Sequence, residues 1–134
     1  LIDSVYEYQP FFINHSNILN YYSYEFLLRL RRDIMKKVSI FNAEKTVNRI
    51  VKSKKCVKGI PYGIGAYTGW DTTPRWGEKG IIHHGFTHEM LGVQINAAKE
   101  KADKDDFVVI TAWNEWGEGA IMEPCEERKP FKIK

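Results

Sequence analysis

The sequence predicts an α/β fold built on parallel strands, and three features predict it. Phe107-Val108-Val109-Ile110-Thr111 is an apolar run too continuous for a half-exposed antiparallel strand, so it is expected to be a central parallel one. Upstream, Leu91, Ile95, Ala98 and Ala102 form one stripe at helical spacing, on a helix that opens after Thr87 and returns the chain to that run. Ahead of that helix, residues 62–68 read as a further strand. A strand, loop, helix, strand unit is the crossover of either a parallel barrel or an open α/β sheet, and periodicity does not choose between them.

The other elements follow in order. Residues 2–8 form a short strand with Glu7 at its carboxyl end, stopped by Gln9-Pro10 because proline disfavours continuation. Residues 23–37 carry Leu27, Leu30 and Ile34 at helical spacing with basic residues opposite, which describes an amphipathic outer helix. A second helix covers residues 43–54, with Asn42 placed to cap it and Val47, Ile50 and Val51 turned inward. Gly63 and Gly65 thin the strand over residues 62–68. They are no dinucleotide fingerprint, lacking the third glycine and the following helix. Residues 81–85 read as a loop, and Thr87 as a helix cap. Residues 127–134 are charged and patternless, a tail or truncated element.

At 134 residues, with 43% apolar content, the chain has the composition of a globular domain with one core. A formal net charge of +3, spread rather than clustered, gives no nucleic-acid footprint. Arg29, Arg32, Lys36 and Lys37 make a basic helix face. It reads first as solvated, and second as a surface for anionic headgroups or a lipid-linked, phosphate-bearing sugar. Cys56 and Cys125 give neither a disulfide framework nor a zinc spacing, which fits a reducing compartment. His83, His84, His88 and Glu89 lack the order of a helical zinc motif, so no metal is expected. No cofactor is expected either, since no paired-aspartate diphosphate site is found.

The chemistry concentrates just beyond the strand at 107–111, in Trp113-Asn114-Glu115-Trp116-Gly117-Glu118-Gly119. Catalytic groups of α/β barrels come from the carboxyl ends of strands and the loops after them. Cleaving or forming a glycosidic bond needs one carboxyl to donate a proton and a second, ionised group on the other side, roles that Glu115 and Glu118 can fill. An indole beside one carboxyl and Asn114 beside the other would push their proton affinities apart, and Trp113 and Trp116 can pack on pyranose faces. The plainer alternative makes the tryptophans core fillers and the glutamates a solvated loop. At the preceding strand end lie Trp70, Asp71 and Arg75. An aspartate beside an arginine fork around Pro74 suits sugar hydroxyls or a phosphate, and equally an ion pair bracing the turn. Glu7, at the first strand end, is expected at the same pole as Glu115 and as a further sugar contact.

The string at residues 110–124 resembles the signature of the WbsX-type glycosyltransferases, which belong with the family 99-like glycoside hydrolase domains. Residues 1–10 and 69–77, with Gly69-Trp70-Asp71 and Arg75-Trp76-Gly77, are similar to two further stretches of that family in the same order. The resemblance implies that the chain is the C-terminal portion of a TIM-type (β/α)8 barrel, with residues 1–126 as the C-terminal half of the catalytic domain. Such a barrel takes about 250 residues, and the missing N-terminal half would be its partner. That the first residue is Leu1 agrees with this expectation. By the same resemblance Glu118 is the acid/base and Glu115 the base that assists through a neighbouring substrate hydroxyl. The implied activity is sugar transfer in surface polysaccharide (O-antigen or lipopolysaccharide) assembly, in the cytoplasm or at the inner membrane surface, with carbohydrate as the partner. An endo-acting hydrolase of α-mannoside-like bonds and a non-catalytic carbohydrate-binding domain are the alternatives.

Overall fold

The computed structural model describes residues 2–15 and 18–123. In chain order the strands are β1 (Val5–Tyr6), β2 (Ser39–Asn42), β3 (Tyr62–Tyr67), β4 (Ile81–His84), β5 (Phe107–Thr111), β6 (Asn114–Glu115) and β7 (Ala120–Ile121). The α-helices are α1 (Phe11–His15), α2 (Ile18–Arg29), α3 (Ala43–Lys52), α4 (Thr73–Trp76) and α5 (His88–Lys101). The domain boundary expected at residue 126 lies outside the described residues.

The architecture is mixed α/β with parallel sheets. β1, β3 and β5 pair in that order, all parallel, with Val5 opposite Tyr62 and Gly63 to Tyr67 opposite Phe107 to Thr111. The middle strand, β3, is buried along its whole length. β5 is thus an edge of the described sheet rather than its centre, and Phe107 is exposed. Its apolar run reflects one face packed on α5 and a second, opposite face where Tyr6, Phe107 and Val109 crowd over Gly63. A Cβ on Gly63 would sit 2.5 Å from Tyr6 Cβ, so only glycine leaves room for that crossing.

The two helices expected to pack inward do so. Asn42 Oδ1 accepts from the Lys45 amide at 2.8 Å and caps α3, whose Val47 and Ile50 join Ile13, Tyr67 and Trp70 in the core. α5 lays Leu91 and Ile95 on Ala66, and Ala98 on Ile64. Burying a leucine such as Leu91 fully contributes about 1.5–3 kcal/mol.

Two further features depart from the sequence expectation. Residues 81–85 hold a strand, β4, paired in parallel with β2, which the sequence reading did not foresee. Both are four-residue segments with a single buried position each, too short for alternation to stand out. The stripe Leu27, Leu30, Ile34 is not core: Ile34 is 75% exposed and Leu27 is exposed. A π-helical turn, Leu30–Ile34, continues α2, so the α-helical spacing on which the stripe was read does not run through to Ile34. α2 meets the interior instead through Tyr24, whose ring lies 5.2 Å from Phe41.

Polar interior groups supply the backbone partners that short strands omit. Where β1 ends, the Glu7 carboxylate accepts from the Gly65 amide at 3.0 Å, from the Tyr62 hydroxyl at 3.0 Å and from Gln9 Nε2 at 3.1 Å. Gln94 on α5 accepts from the Tyr67 amide at 3.2 Å and donates to its carbonyl at 3.1 Å. Glu7 is only 2% exposed, so its removal strands three donors inside the protein. Glu7→Ala is expected to destabilise the fold by about 2–4 kcal/mol in urea unfolding, without raising KM in whatever protein remains folded.

His83 and His84 are neighbours on β4 and point to opposite faces, so they do not form a ligand pair. His83 is buried, its Nδ1 3.3 Å from the Tyr67 hydroxyl, among the rings of Phe41 and Tyr67. Burial pushes its pKa down to about 4. An unfolded histidine takes up a proton near pH 6.5, which this folded site resists. The contribution of His83 is therefore complete above about pH 6.5 and is lost as pH falls through about 4, on the order of 3 kcal/mol in all. Urea unfolding at pH 7 and at pH 4 should show this loss in the parent and a shallower one in His83→Phe.

Candidate active site

The carboxyl ends of β3 and β5 are tied together before either loop begins. The Thr68 amide donates to the Thr111 carbonyl at 2.9 Å, and the Thr68 hydroxyl lies 3.2 Å from that oxygen. Beyond β5 the chain folds back as a small hairpin. β6 pairs antiparallel with β7, Asn114 opposite Ile121 and Glu115 opposite Ala120, around a 3₁₀ turn at Trp116–Glu118. The Trp113 carbonyl accepts from the amides of Met122 and Glu123, both at 2.9 Å, and closes the base.

The turn is pinned to the loop after β3. Gly69, at φ +118, swings that loop toward the hairpin, and the Asp71 amide donates to the Glu118 carbonyl at 2.7 Å. Gly119 takes a left-handed φ of +61, and a Cβ there would stand 3.0 Å from Asp71 Cβ. The Asp71 carboxylate turns the other way: its Oδ1 accepts from the Thr73 amide at 2.9 Å and the Thr73 hydroxyl at 2.6 Å, starting α4 with Pro74 in its first turn. Arg75, one turn on, therefore pairs with Glu118 (Nη1 to Oε1, 3.4 Å) rather than with Asp71. Its guanidinium also lies 5.8 Å from the centroid of the exposed Trp76 ring.

The match that places this geometry in a family covers nearly the whole chain: residues 2–131 fit the glycosyltransferase WbsX family. The chain belongs to the WbsX glycosyltransferase family. No curated protein and no solved structure matches it.

Within this WbsX domain the residues singled out from sequence divide into two groups. Glu115, Glu118, Asn114, Trp113 and Trp116 share one hairpin, with Asp71 and Arg75 against it. Trp113 and Trp116 are both exposed, and the Trp116 N–H is turned to Glu123 Oε2 at 3.2 Å. Glu118 keeps 21% of its side chain exposed, enough to meet a ligand while its backbone is fixed. Glu7 and Trp70 do not join them. Glu7 is occupied in the interior as described above. Trp70 is 3% exposed, packed in the core with Ile13, Val47 and Tyr67, edge-on to Phe11 at 5.1 Å. The alternation of an extended chain accounts for Glu7: it turns inward and its neighbour turns out.

That neighbour, Tyr8, was missed from sequence. Partial burial first, then the negative charges of Glu118 and Glu115, hold its hydroxyl above the usual phenol value. Both carboxylates thus act on one phenol, which stacks on Phe11 at 6.1 Å. The signal available in the sequence was its place directly after a strand-end glutamate. Chemically, the site offers two carboxylates, a phenol, a guanidinium and exposed indoles, carried by the segments that follow β1, β3 and β5.

Gly119→Ala tests whether loop placement matters. Its Cβ must displace Asp71 and adopt an unfavourable left-handed backbone, which is expected to cost about 1–2 kcal/mol in thermal unfolding and to reduce turnover at least about tenfold by moving Glu118.

Proposed function

We propose that this domain transfers a sugar in surface polysaccharide (O-antigen or lipopolysaccharide) assembly, with Glu118 as acid and base and Glu115 assisting. The observation that carries this reading is the fixing of the Glu118 turn, through Asp71 and Arg75, at a parallel strand's carboxyl end in a WbsX-family chain. Glu118 would protonate the leaving oxygen while Glu115 takes the proton of the hydroxyl next to the anomeric carbon, so that this oxygen displaces the leaving group. The acceptor hydroxyl then attacks the anomeric carbon, gives its proton to Glu118, and the neighbouring oxygen recovers a proton from Glu115. Tyr8, still protonated, can donate a hydrogen bond to the sugar between the two acids. Trp113, Trp116 and Asn114 would line the sugar's path.

The three parallel strands fit part of a (β/α)8 barrel. β1 and β5 have no further strand partner among the described residues, and Tyr6 and Phe107 are exposed on the face away from α5. In this reading further strands of the same domain pair with those edges and cover that face. The acceptor would be a lipid-linked glycan at the cytoplasmic membrane surface.

The intact protein incubated with sugar nucleotides and glycan acceptors, and separately with α-mannoside oligomers, should yield a product heavier by one sugar. Glu118→Gln is expected to lower that rate by about 100-fold or more with sugar binding retained. Shortening of the oligomers, equally dependent on Glu118, would make the protein a hydrolase using the same pair. Sugar binding with no turnover in the parent would make it a binding domain.

A further inference from the structure

A cavity of about 490 Å³ opens beside the candidate site and draws Arg32 and Lys36 of the basic helix face together with Trp76. Its walls are Arg32, Asp33, Lys36, Trp76, Glu78 and Lys79, contributed by the π-helical turn and its end on one side and by α4 and the turn Gly77–Lys79 on the other. That volume suits a monosaccharide carrying a small substituent.

The charges in it are unevenly used. Arg32 and Asp33 are neighbours in a two-pronged pair at 2.8 and 3.1 Å and largely satisfy one another. Lys36 and Lys79 hold no hydrogen bond or ion pair among the described residues, and Glu78 is the remaining carboxylate in the lining. Three cations against two carboxylates leave the lining net positive by one, with Lys79 also acting on Asp33; beside an exposed indole that surplus suits an anion attached to an apolar-faced ring.

Its backbone points the same way. Lys36 has φ +49, a left-handed conformation that favours glycine, at the position where a helix commonly ends in one. The amides of Met35 and Lys37 donate to Leu30 and Arg31, both at 3.0 Å, and hold the chain in that turn. A lysine therefore stands where glycine would be the less strained residue, with its side chain lining the cavity.

The cavity is one side chain from the acid. Trp76, in its wall, lies beneath the Arg75 guanidinium, which reaches Glu118. We propose that this cavity binds a phosphate joined to the sugar substrate, with the phosphate on Lys36 and Lys79 and the ring against Trp76. This rests on Glu118 being the reacting acid, for it is that placement which makes the occupant a substrate.

The test uses the intact protein in the Glu118→Gln background, so that binding is read without turnover. Hexose 6-phosphates, whose phosphate lies away from the anomeric carbon, the matching neutral hexoses and inorganic phosphate are titrated by calorimetry, and vesicles with and without phosphatidylglycerol are tested by sedimentation. Hexose phosphates should bind at least about tenfold more weakly to Lys36→Gly and to Lys79→Gln, with the neutral hexoses unchanged. Because glycine suits the left-handed turn, Lys36→Gly should melt no lower than its parent, which separates lost binding from lost folding. Equal affinity in parent and variants, or no binding of any hexose phosphate, overturns the proposal. Lysine-dependent binding to the anionic vesicles alone also overturns it and assigns the phosphate to a lipid headgroup. The two readings fail separately: turnover that survives Glu118→Gln removes the acid while leaving the phosphate cavity, and the reverse pattern removes only the cavity.

Discussion

The short bond from the Asp71 amide to the Glu118 carbonyl is the constraint on which the site depends. A carboxylate on a hairpin tip has too much freedom to be a positioned acid, and the hairpin β6–β7 has only two residues per strand. Binding its backbone to the loop after β3 transfers the rigidity of a fully buried strand to the turn that carries Glu118. The bond needs close approach, and the residues on either side of it answer that need: Gly119 beside Asp71, and Gly69 facing the Gly119 carbonyl. Asp71 then contributes mainly through its backbone, its carboxylate being spent on the Thr73 amide and hydroxyl in the turn that leads into α4, while Arg75 is delivered to Glu118.

The rigidity of β3 is itself built from polar groups. Parallel strands require every amide to be met, and the flanking strands are shorter than β3 on the β1 side. Glu7 and Gln94 replace missing ladder partners for Gly65 and Tyr67, and Asp106 accepts from the Tyr62 amide at 2.9 Å. Glu7 thus has a role that sequence position disguises. A glutamate at a strand's carboxyl end looks the same whether it faces a substrate or a neighbouring amide, and only the length of the adjoining strand decides which.

That ambiguity explains what could be read in the chain and what could not. β3, β5, α3 and α5 were legible because each carries a run or stripe long enough to have a period, and Asn42 announces its cap chemically. The gathering of Glu115 and Glu118 was legible too, since they sit within one turn of one motif. Trp70 and Trp76 were not separable. Both indoles flank Asp71, yet one is core and the other exposed, because α4 begins between them and turns the chain around. β2 and β4 escaped because pairing between remote short segments leaves no local period. Tyr8 escaped because its importance lies in the fields of two residues more than a hundred positions away.

Arg75 is the point at which these separate constraints meet. An exposed ion pair contributes little to stability, generally below about 1 kcal/mol, so the contact at 3.4 Å is no structural necessity. Its planar guanidinium can lie against the Trp76 indole while directing an N–H at a carboxylate, which the compact ammonium of a lysine does less well. The arrangement therefore joins two environments of opposite character: a carboxylate pair with its phenol on one side, and a lysine-lined cavity behind the indole on the other. A substrate with a neutral ring and a charged substituent is the kind of molecule that would span both. Such a molecule would be oriented by its charge before its anomeric carbon reached Glu118, so that binding energy from the remote phosphate would be available to hold the reacting bond in place.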